Sequence, residues 1–392
     1  MRPLDGRRIW FVGIGGAGLS GYALLAKAWG AEVGGWDRVD TPYLRPLEGV
    51  VVELSPEPVV PEGWDEVVVS TAFRDQAHGK PRAEFLAELL SLQRSIVVAG
   101  AHGKTTTAAM IAFCLDRLGD DPSFLIGGDV PQLGGNARAG RGWLVVEGDE
   151  SDRTIESLRP QIAVVTNVDL DHHTEFASRA EVLGMFERWA AAAPRAVRGD
   201  ELAPVEVELA VAGEHNRRNA AVALAALEAA GADHGAAAEA LADFRGVGRR
   251  LEGRGEVRGV EVIDSYAHHP AELAADIAAA RNGGRVLVLF QPHLYSRTRH
   301  LASEFGAALA DADVAAVTDV YRAREDPVEG ITGKLVVDAL LAARPGMEVA
   351  WMPEVADGAL FLAGRARPGD RVLTLGAGDV DSAVPLILEA LG

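Results

Sequence analysis

The residues Gly100-Ala101-His102-Gly103-Lys104-Thr105-Thr106-Thr107 carry the clearest chemistry in this chain. The apolar run Ser95-Ile96-Val97-Val98-Ala99 precedes them, and Ala108-Ala109-Met110-Ile111-Ala112-Phe113 follows. This order predicts a strand, a glycine turn and a helix. Backbone N–H groups of such a turn, with the positive end of the helix, form a phosphate cradle. Lys104 would reach the terminal phosphates, and the Thr105 hydroxyl would bind Mg2+. The spacing departs from the general G-x-x-x-x-G-K-[ST], because Val98 stands where the first glycine would be and leaves G-x-x-G-K-T. A chance glycine turn before a helix is the competing reading, but it has no need of Lys and Thr at those positions. ATP or a similar nucleotide is the expected ligand.

Further motifs follow other apolar runs. Gly13-Ile14-Gly15-Gly16-Ala17-Gly18 is a G-x-G-x-x-G, and Asp37 lies near the end of the next strand. That is the setting of a dinucleotide or nucleotide-diphosphate site, and NAD, FAD or a UDP-sugar would each fit. A turn that needs glycine for packing alone is the alternative. Glu147-Gly148-Asp149-Glu150-Ser151-Asp152 clusters carboxylates after a strand, which suits Mg2+ ligation or a solvated acidic loop. Asn167-Val168-Asp169-Leu170-Asp171-His172-His173 offers a His beside a second metal or an acyl phosphate, or an ordinary polar loop.

Gly213-Glu214-His215-Asn216-Arg217-Arg218-Asn219 opens an alanine-rich helix. Asn216 and Asn219 fall on one helix face, suited to reading an adenine edge or to capping the helix. Asp264-Ser265-Tyr266-Ala267-His268-His269-Pro270 and Gln291-Pro292-His293-Leu294-Tyr295-Ser296-Arg297-Thr298 each follow a strand, where open α/β sheets bind ligands. Arg297 would pair with a carboxylate or phosphate.

The elements that must hold these groups alternate strand and helix, which predicts an α/β fold with mainly parallel sheets. A first strand and its turn are expected over 7–15, with further strands near Val33 and at 50–52, 66–69, 95–99, 143–147, 162–166, 260–264, 286–290, 314–320, 347–351 and 372–375. One alanine-rich helical region is expected from about Arg217 to Ala242. With 392 residues, two or three domains fit. The boundaries fall near 93 and 247, giving 1–93, 94–247 and 248–392.

A net charge of −19 argues against nucleic acid as a partner while allowing a local basic pocket for a small anion. The single cysteine, Cys114, lies in an apolar helix pattern and reads as a buried inert thiol. It permits no internal disulfide and fits a reducing cytoplasm. No signal peptide and no membrane span are expected.

Together a phosphate loop, metal candidates, a second nucleotide fold and a third α/β unit suit one chemistry. ATP would phosphorylate a carboxylate held by one domain, and an amine held by another would attack the acyl phosphate. At this point the chain resembles the Mur ligases. The resemblance rests on 13–18, 100–107, 147–152, 166–172, 213–219, Gly248-Arg249-Arg250, 266–270, 290–298, Asp319-Val320-Tyr321 and Gly376-Ala377-Gly378-Asp379, in family order over essentially the whole chain. The shortened phosphate-loop spacing is the family's own form.

The resemblance implies a Rossmann-like N-terminal UDP-binding domain, a central P-loop ATPase domain and a C-terminal Rossmann-like domain that receives an amino acid. It implies ligation of L-alanine to the carboxylate of UDP-N-acetylmuramate for peptidoglycan synthesis, with ATP and Mg2+, by a monomer or dimer. Carried over by position, Lys104, His172, His268 and Arg297 are catalytic. Gly100, Ala101, His102, Gly103, Lys104, Thr105, Thr106, Asn216, Asn219, Arg250 and Asp264 bind the nucleotide. Thr105, Glu147 and His172 bind metal. Gly15, Gly16, Ala17, Gly18, Asp37, Ser70, Thr71, Glu150, Ser151, Tyr266, His293, Tyr321 and Glu325 bind substrate. The glycine turn then holds a UDP diphosphate rather than NAD. No lysine lies between Lys104 and Lys334, so the carbamylated lysine of some related ligases has no counterpart.

Three departures stand out. Ser265 replaces the second of two aspartates, and Leu294 stands where the family often has Arg. The stretch between His172 and Gly213 is about half the usual length, and residues 72–83 also look trimmed. A compact version of the fold is therefore expected. A peptide-recycling ligase acting on the same sugar and an inactive UDP-sugar-binding homologue are the alternatives, and a nicotinamide oxidoreductase would leave the second phosphate loop unexplained.

Overall fold

The structure is a computed structural model that describes residues 2–150, 153–169, 176, 178–281, 284–323 and 325–392. In chain order the first elements are β1 (Arg8–Val12), α1 (Ala17–Ala28), β2 (Glu32–Asp37), β3 (Val51–Leu54), β4 (Glu66–Val69), β5 (Lys80–Pro81) and α2 (Arg82–Leu92). They build a parallel sheet in the order β3-β2-β1-β4-β5. Then come β6 (Ser95–Ala99), α3 (Lys104–Arg117), β7 (Ser123–Val130), β8 (Gly135–Arg138), β9 (Leu144–Glu147), β10 (Ile162–Val165), α4 (Arg179–Ala191), β11 (Arg195–Arg198), α5 (Glu214–Ala230) and α6 (His234–Ala242). Their sheet runs β11-β10-β6-β9-β7-β8, parallel except for the β7–β8 hairpin.

The remaining elements are β12 (Glu252–Val257), β13 (Val260–Ser265), α7 (Pro270–Ala280), β14 (Val286–Phe290), α8 (Tyr295–Leu309), β15 (Val314–Val317), α9 (Lys334–Ala343), β16 (Glu348–Trp351), α10 (Val355–Ala363), β17 (Arg371–Leu375) and α11 (Ala383–Leu391). The third sheet is β12-β13-β17-β14-β15-β16, with only β12 antiparallel. Central strands such as β6, β10 and β14 are buried along their whole length, as both faces of a helix-covered parallel sheet must be. The fold is α/β, as the alternation predicts.

The chain divides into two compact units, residues 1–210 with 216–245, and residues 211–215 with 246–392. The first unit contains two of the sheets because one hydrophobic core runs through both, from Phe11 and Phe85 to Val97, Leu125 and Phe186. Gly21 makes that possible. A Cβ there would lie 2.8 Å from Leu125 and 3.2 Å from Ala137, so α1 seats directly on the β7–β8 hairpin. The Asn136 amide donates to the Ala17 carbonyl across the same junction at 3.2 Å.

Two expectations need correction. The alanine-rich region is two helices, α5 and α6, because Gly231 takes a φ of +95° and Asp233 caps the second helix through the Ala236 N–H at 2.9 Å. Alanine suits either helix, so composition hid the break. The strand expected over 314–320 stops at Val317. The hairpin strands β7 and β8 and the edge strand β12 carry little apolar periodicity and escaped the sequence reading.

Candidate active site

In the first unit, β6 delivers the chain to the phosphate loop and α3 begins at Lys104. Gly100 and Gly103 have φ of +131° and +80°. A Cβ on Gly100 would fall 2.2 Å from Thr166 Oγ1, and one on Gly103 would fall 2.2 Å from Asn219 Oδ1. Both glycines are therefore required by backbone geometry and by close approach. The end of β10 clamps the loop. His102 N–H donates to Asn167 Oδ1 at 2.9 Å, while Asn167 Nδ2 and Thr166 Oγ1 donate to the His102 carbonyl at 2.8 and 2.7 Å.

Lys104 Nζ donates to the Gly100 and Ala101 carbonyls at 2.6 and 3.1 Å and to Glu150 Oε1 at 2.9 Å. Glu150 is buried, and that burial pushes its carboxyl up to about 7 against the opposing pull of Lys104. Burial alone would lower the Lys104 ammonium, but Glu150, Glu147 and Asp149 outweigh it and hold it above its ordinary value. The acidic segment is thus no solvated loop at Glu147 and Glu150.

Thr105 Oγ1 donates to Glu147 Oε1 at 2.9 Å, and the Gly127 N–H fixes Oε2 at 2.7 Å. Neighbouring ligands of an octahedral Mg2+ at about 2.1 Å stand about 2.9 Å apart, so this oxygen pair fits two ligand positions. Among the described residues no group of three or more His, Cys, Asp or Glu forms a metal site by itself. A Mg2+ ion takes few protein ligands and completes its shell with phosphate and water. His172 and Ser151 lie outside the described residues.

Asn216 and Asn219 are buried within α5. Asn219 Nδ2 donates to Asn216 Oδ1 at 3.3 Å. The pair thus stands beside the phosphate loop at Gly103.

The first glycine turn connects β1 to α1. Gly15 N–H donates to Asp37 Oδ2 at 2.7 Å, and Thr41 Oγ1 donates to the Gly15 carbonyl at 2.7 Å. Asp37 is therefore committed to shaping the turn. Ser70 packs on Gly13, where a Cβ would lie 2.9 Å from Ser70 Cβ, and Thr71 opens the following short helical turn. Gly16 precedes α1 with no side-chain cap, leaving the helix terminus at Ala17 and Gly18 without a capping side chain. Arg82, missed in the sequence, lies near Gly18 and pairs with Asp149 at 3.2 Å, tying the turn to the acidic segment of the second sheet.

The second unit gathers the other group of residues at the carboxyl ends of its strands. The Tyr266, His268, His293 and Tyr321 rings form a chain with centroid separations of 5.4, 5.9 and 5.8 Å. Arg249 and Arg250 each stand 5.3 Å from the Tyr266 ring centroid. His268 Nδ1 lies 2.9 Å from the Tyr266 carbonyl, which can only accept, so Nδ1 carries the proton and Nε2 is the basic nitrogen of the neutral ring. Arg297 is buried, with Nη1 3.4 Å from His293 Nδ1. Glu325 accepts from the Ser296 N–H at 2.9 Å at the start of α8.

Asp264 faces inward. Arg249 Nε and Thr374 Oγ1 donate to its two oxygens at 2.9 and 2.6 Å, and Arg249 also holds the Gly376 and Gly378 carbonyls. Burial raises the Asp264 carboxyl. Arg249 was hidden beside Arg250 in the sequence. Thr374, a polar residue inside β17, is the other donor to Asp264. Ser265 Oγ donates to Asp276 Oδ2 at 2.5 Å, so a carboxyl from α7 stands beside Ser265.

Residues 98–189 match the Mur ligase middle domain, and residues 249–378 match the Mur ligase, glutamate ligase domain. A UDP-N-acetylmuramate–L-alanine ligase of Streptomyces avermitilis is 40% identical, covering 97% of each chain, and one of Rubrobacter xylanophilus is 39% identical, covering 98% of this chain and 100% of that one. The Streptomyces alignment spans 450 residues yet takes in 97% of a 392-residue chain, so about 70 positions of it face no residue here. A crystal structure of UDP-N-acetylmuramate-alanine ligase from Thermotoga maritima superposes with a TM-score of 0.80 at 26% identity, over 97% of this chain and 98% of that one. Near-complete coverage at such identity, together with two domain matches that take in the phosphate loop and the histidine-tyrosine cluster, makes this chain a member of the Mur ligase family.

Proposed function

We propose that this chain joins L-alanine to the lactyl carboxylate of UDP-N-acetylmuramate at the expense of ATP, in peptidoglycan precursor synthesis. The observation that carries the reading is near-full-length identity of about 40% to ligases of that name. The phosphate loop supports it. The γ-phosphoryl group of ATP passes to a carboxylate oxygen of the sugar nucleotide, and ADP leaves. The amine of L-alanine then attacks the acyl carbon, the C–O bond to phosphate breaks, and one amine proton is released.

In this reading Lys104, His102 and the N–H groups from Gly103 to Thr106 hold the phosphates and offset charge as the phosphoryl group moves. Thr105 and Glu147 would hold Mg2+, with His172 at a second metal. That ion supplies charge neutralisation on the phosphates when bound. Asn216 and Asn219 face the nucleotide, with Arg250 as a further contact. The turn from Gly15 to Gly18, with Ser70 and Thr71, binds the UDP diphosphate while Asp37 shapes it. We assign Glu150 and Ser151 to binding of the sugar substrate. Tyr266, His268, His293, Arg297, Tyr321 and Glu325 receive the amino acid, and Asp264 holds that region in shape through Arg249. We assign the domains as 1–93, 94–247 and 248–392. No helix among the described residues is long and apolar enough to cross a membrane. We place the reaction in the cytoplasm.

Phosphate release from ATP and Mg2+ with UDP-N-acetylmuramate tests this, with and without L-alanine. Release that requires both substrates and is lost in Lys104→Ala is expected. Release without need of L-alanine, or none at all, would sink the reading. An L-alanyl peptide in place of L-alanine separates it from peptide recycling.

A further inference from the structure

The third sheet changes direction at a point of the kind beyond which α/β proteins bind ligands. Helices α7, α8 and α9 cover one face and α10 and α11 the other, as their separate cores show. The neighbours β14 and β17 continue into α8 and α11, so their chains leave toward opposite faces. That is a topological switch point, where ligands bind beyond the carboxyl ends of the strands.

Gln291 follows β14 at that point. It is 5% exposed, and its backbone N–H donates to Leu375 at the end of β17 at 2.9 Å. Its Nε2 donates to Asp379 Oδ1 at 2.7 Å. A carboxylate only accepts, so this bond fixes which way the amide faces. Oε1 then has no hydrogen-bond partner among the described residues. It sits beside Gly378 and Tyr321, since a Cβ on Gly378 would meet Gln291 Oε1 at 2.2 Å and Tyr321 Cγ at 2.6 Å. A buried acceptor without a donor is costly unless something supplies one.

We propose that Gln291 Oε1 accepts a hydrogen bond from the primary amine of the amino-acid substrate, while Arg297 takes its carboxylate. This rests on the ligase reading above. The residue type suits the chemistry. The amine must be neutral to attack, and a carboxylate at this position would hold it as ammonium. An amide oxygen orients one N–H and leaves the lone pair free. No proton passes to Gln291.

The test uses the full chain with Gln291→Met, which keeps the shape and removes both the acceptor and the bond to Asp379, and Gln291→Glu. Gln291→Met should raise KM for L-alanine about ten-fold, the effect of one lost hydrogen bond. KM for ATP and for UDP-N-acetylmuramate should stay unchanged, with the thermal midpoint preserved. Gln291→Glu should move the rise of kcat/KM for L-alanine to higher pH. Unchanged KM for L-alanine in Gln291→Met overturns the proposal, as does a joint rise of all three KM values. Calorimetric binding of L-alanine in the presence of UDP-N-acetylmuramate and a non-hydrolysable ATP analogue separates this from the ligase reading. An inactive wild type that binds L-alanine, with binding lost in Gln291→Met, would fail that reading alone. A wild type that binds no L-alanine would overturn this one.

Discussion

Lys104 and Glu150 form a buried ion pair at the mouth of the phosphate loop, Nζ to Oε1 at 2.9 Å. An ammonium has three donors, and here the Gly100 and Ala101 carbonyls take the other two. A nucleotide phosphate must therefore displace one of these acceptors. Glu150 is the acceptor that a phosphate would repel. Glu150→Gln should bind a non-hydrolysable ATP analogue a few-fold more tightly, and Lys104→Ala should lose about a hundred-fold or more in turnover. With the Glu150 carboxyl up at about 7, nucleotide affinity should rise as pH falls through that range in the wild type and stay flat in Glu150→Gln. Fluorescence titration from pH 6 to 8.5 reads both; equal pH slopes in the two proteins would refute the assignment.

Thr105 and Glu147 are spaced as two corners of an octahedron. Replacing either oxygen, by Thr105→Val or Glu147→Gln, should raise the Mg2+ concentration for half-maximal activity about ten-fold or more. Affinity for UDP-N-acetylmuramate should be little changed. A Mg2+ titration at saturating substrates checks this.

Gly103 carries a φ of +80° and lies against Asn219. Gly103→Ala adds a left-handed strain of roughly 1–2 kcal/mol and a methyl group where the Asn219 amide sits. Loss of nucleotide binding is expected with a fall of a few degrees in thermal midpoint. Asn219→Gly in the same chain should recover part of the stability, because the clash is removed while the strain remains.

Asp276 gives a pH signature to folding. Burial pushes its carboxyl up to about 7, with Ser265 opposing. The folded state thus holds this proton more tightly than the unfolded chain, whose aspartate titrates near about 4. Its contribution is fully present below that value and is lost as pH rises through about 7. Asp276→Asn should flatten the loss of stability between pH 5 and 8. Denaturant midpoints across that range would show it; parallel curves for the two proteins would count against it.

Local sequence carried much of the site. Gly100 to Thr107 is contiguous, so one strand-turn-helix places its groups together without help from distant residues. The same holds for the turn at Gly13 to Gly18. The residues that escaped act across the fold. Arg249 reaches Asp264 and the Gly376 and Gly378 carbonyls, and Arg82 reaches Asp149. Such pairs have no spacing to read. Asn216 and Asn219 were legible as one helix face, but their position beside Gly103 depended on how α5 docks on the sheet.

The sequence by itself determined the α/β alternation, the phosphate loop and the order of the motifs, because apolar periodicity and glycine turns act within a few residues. Only the tertiary structure decided that two sheets share one core, which requires Gly21 to meet Leu125 across the fold. It alone turned Asp37 and Asp264 toward the protein itself. Among the described residues it also left Gln291 Oε1 without a donor, since hydrogen-bond satisfaction is settled by packing between strands distant in sequence.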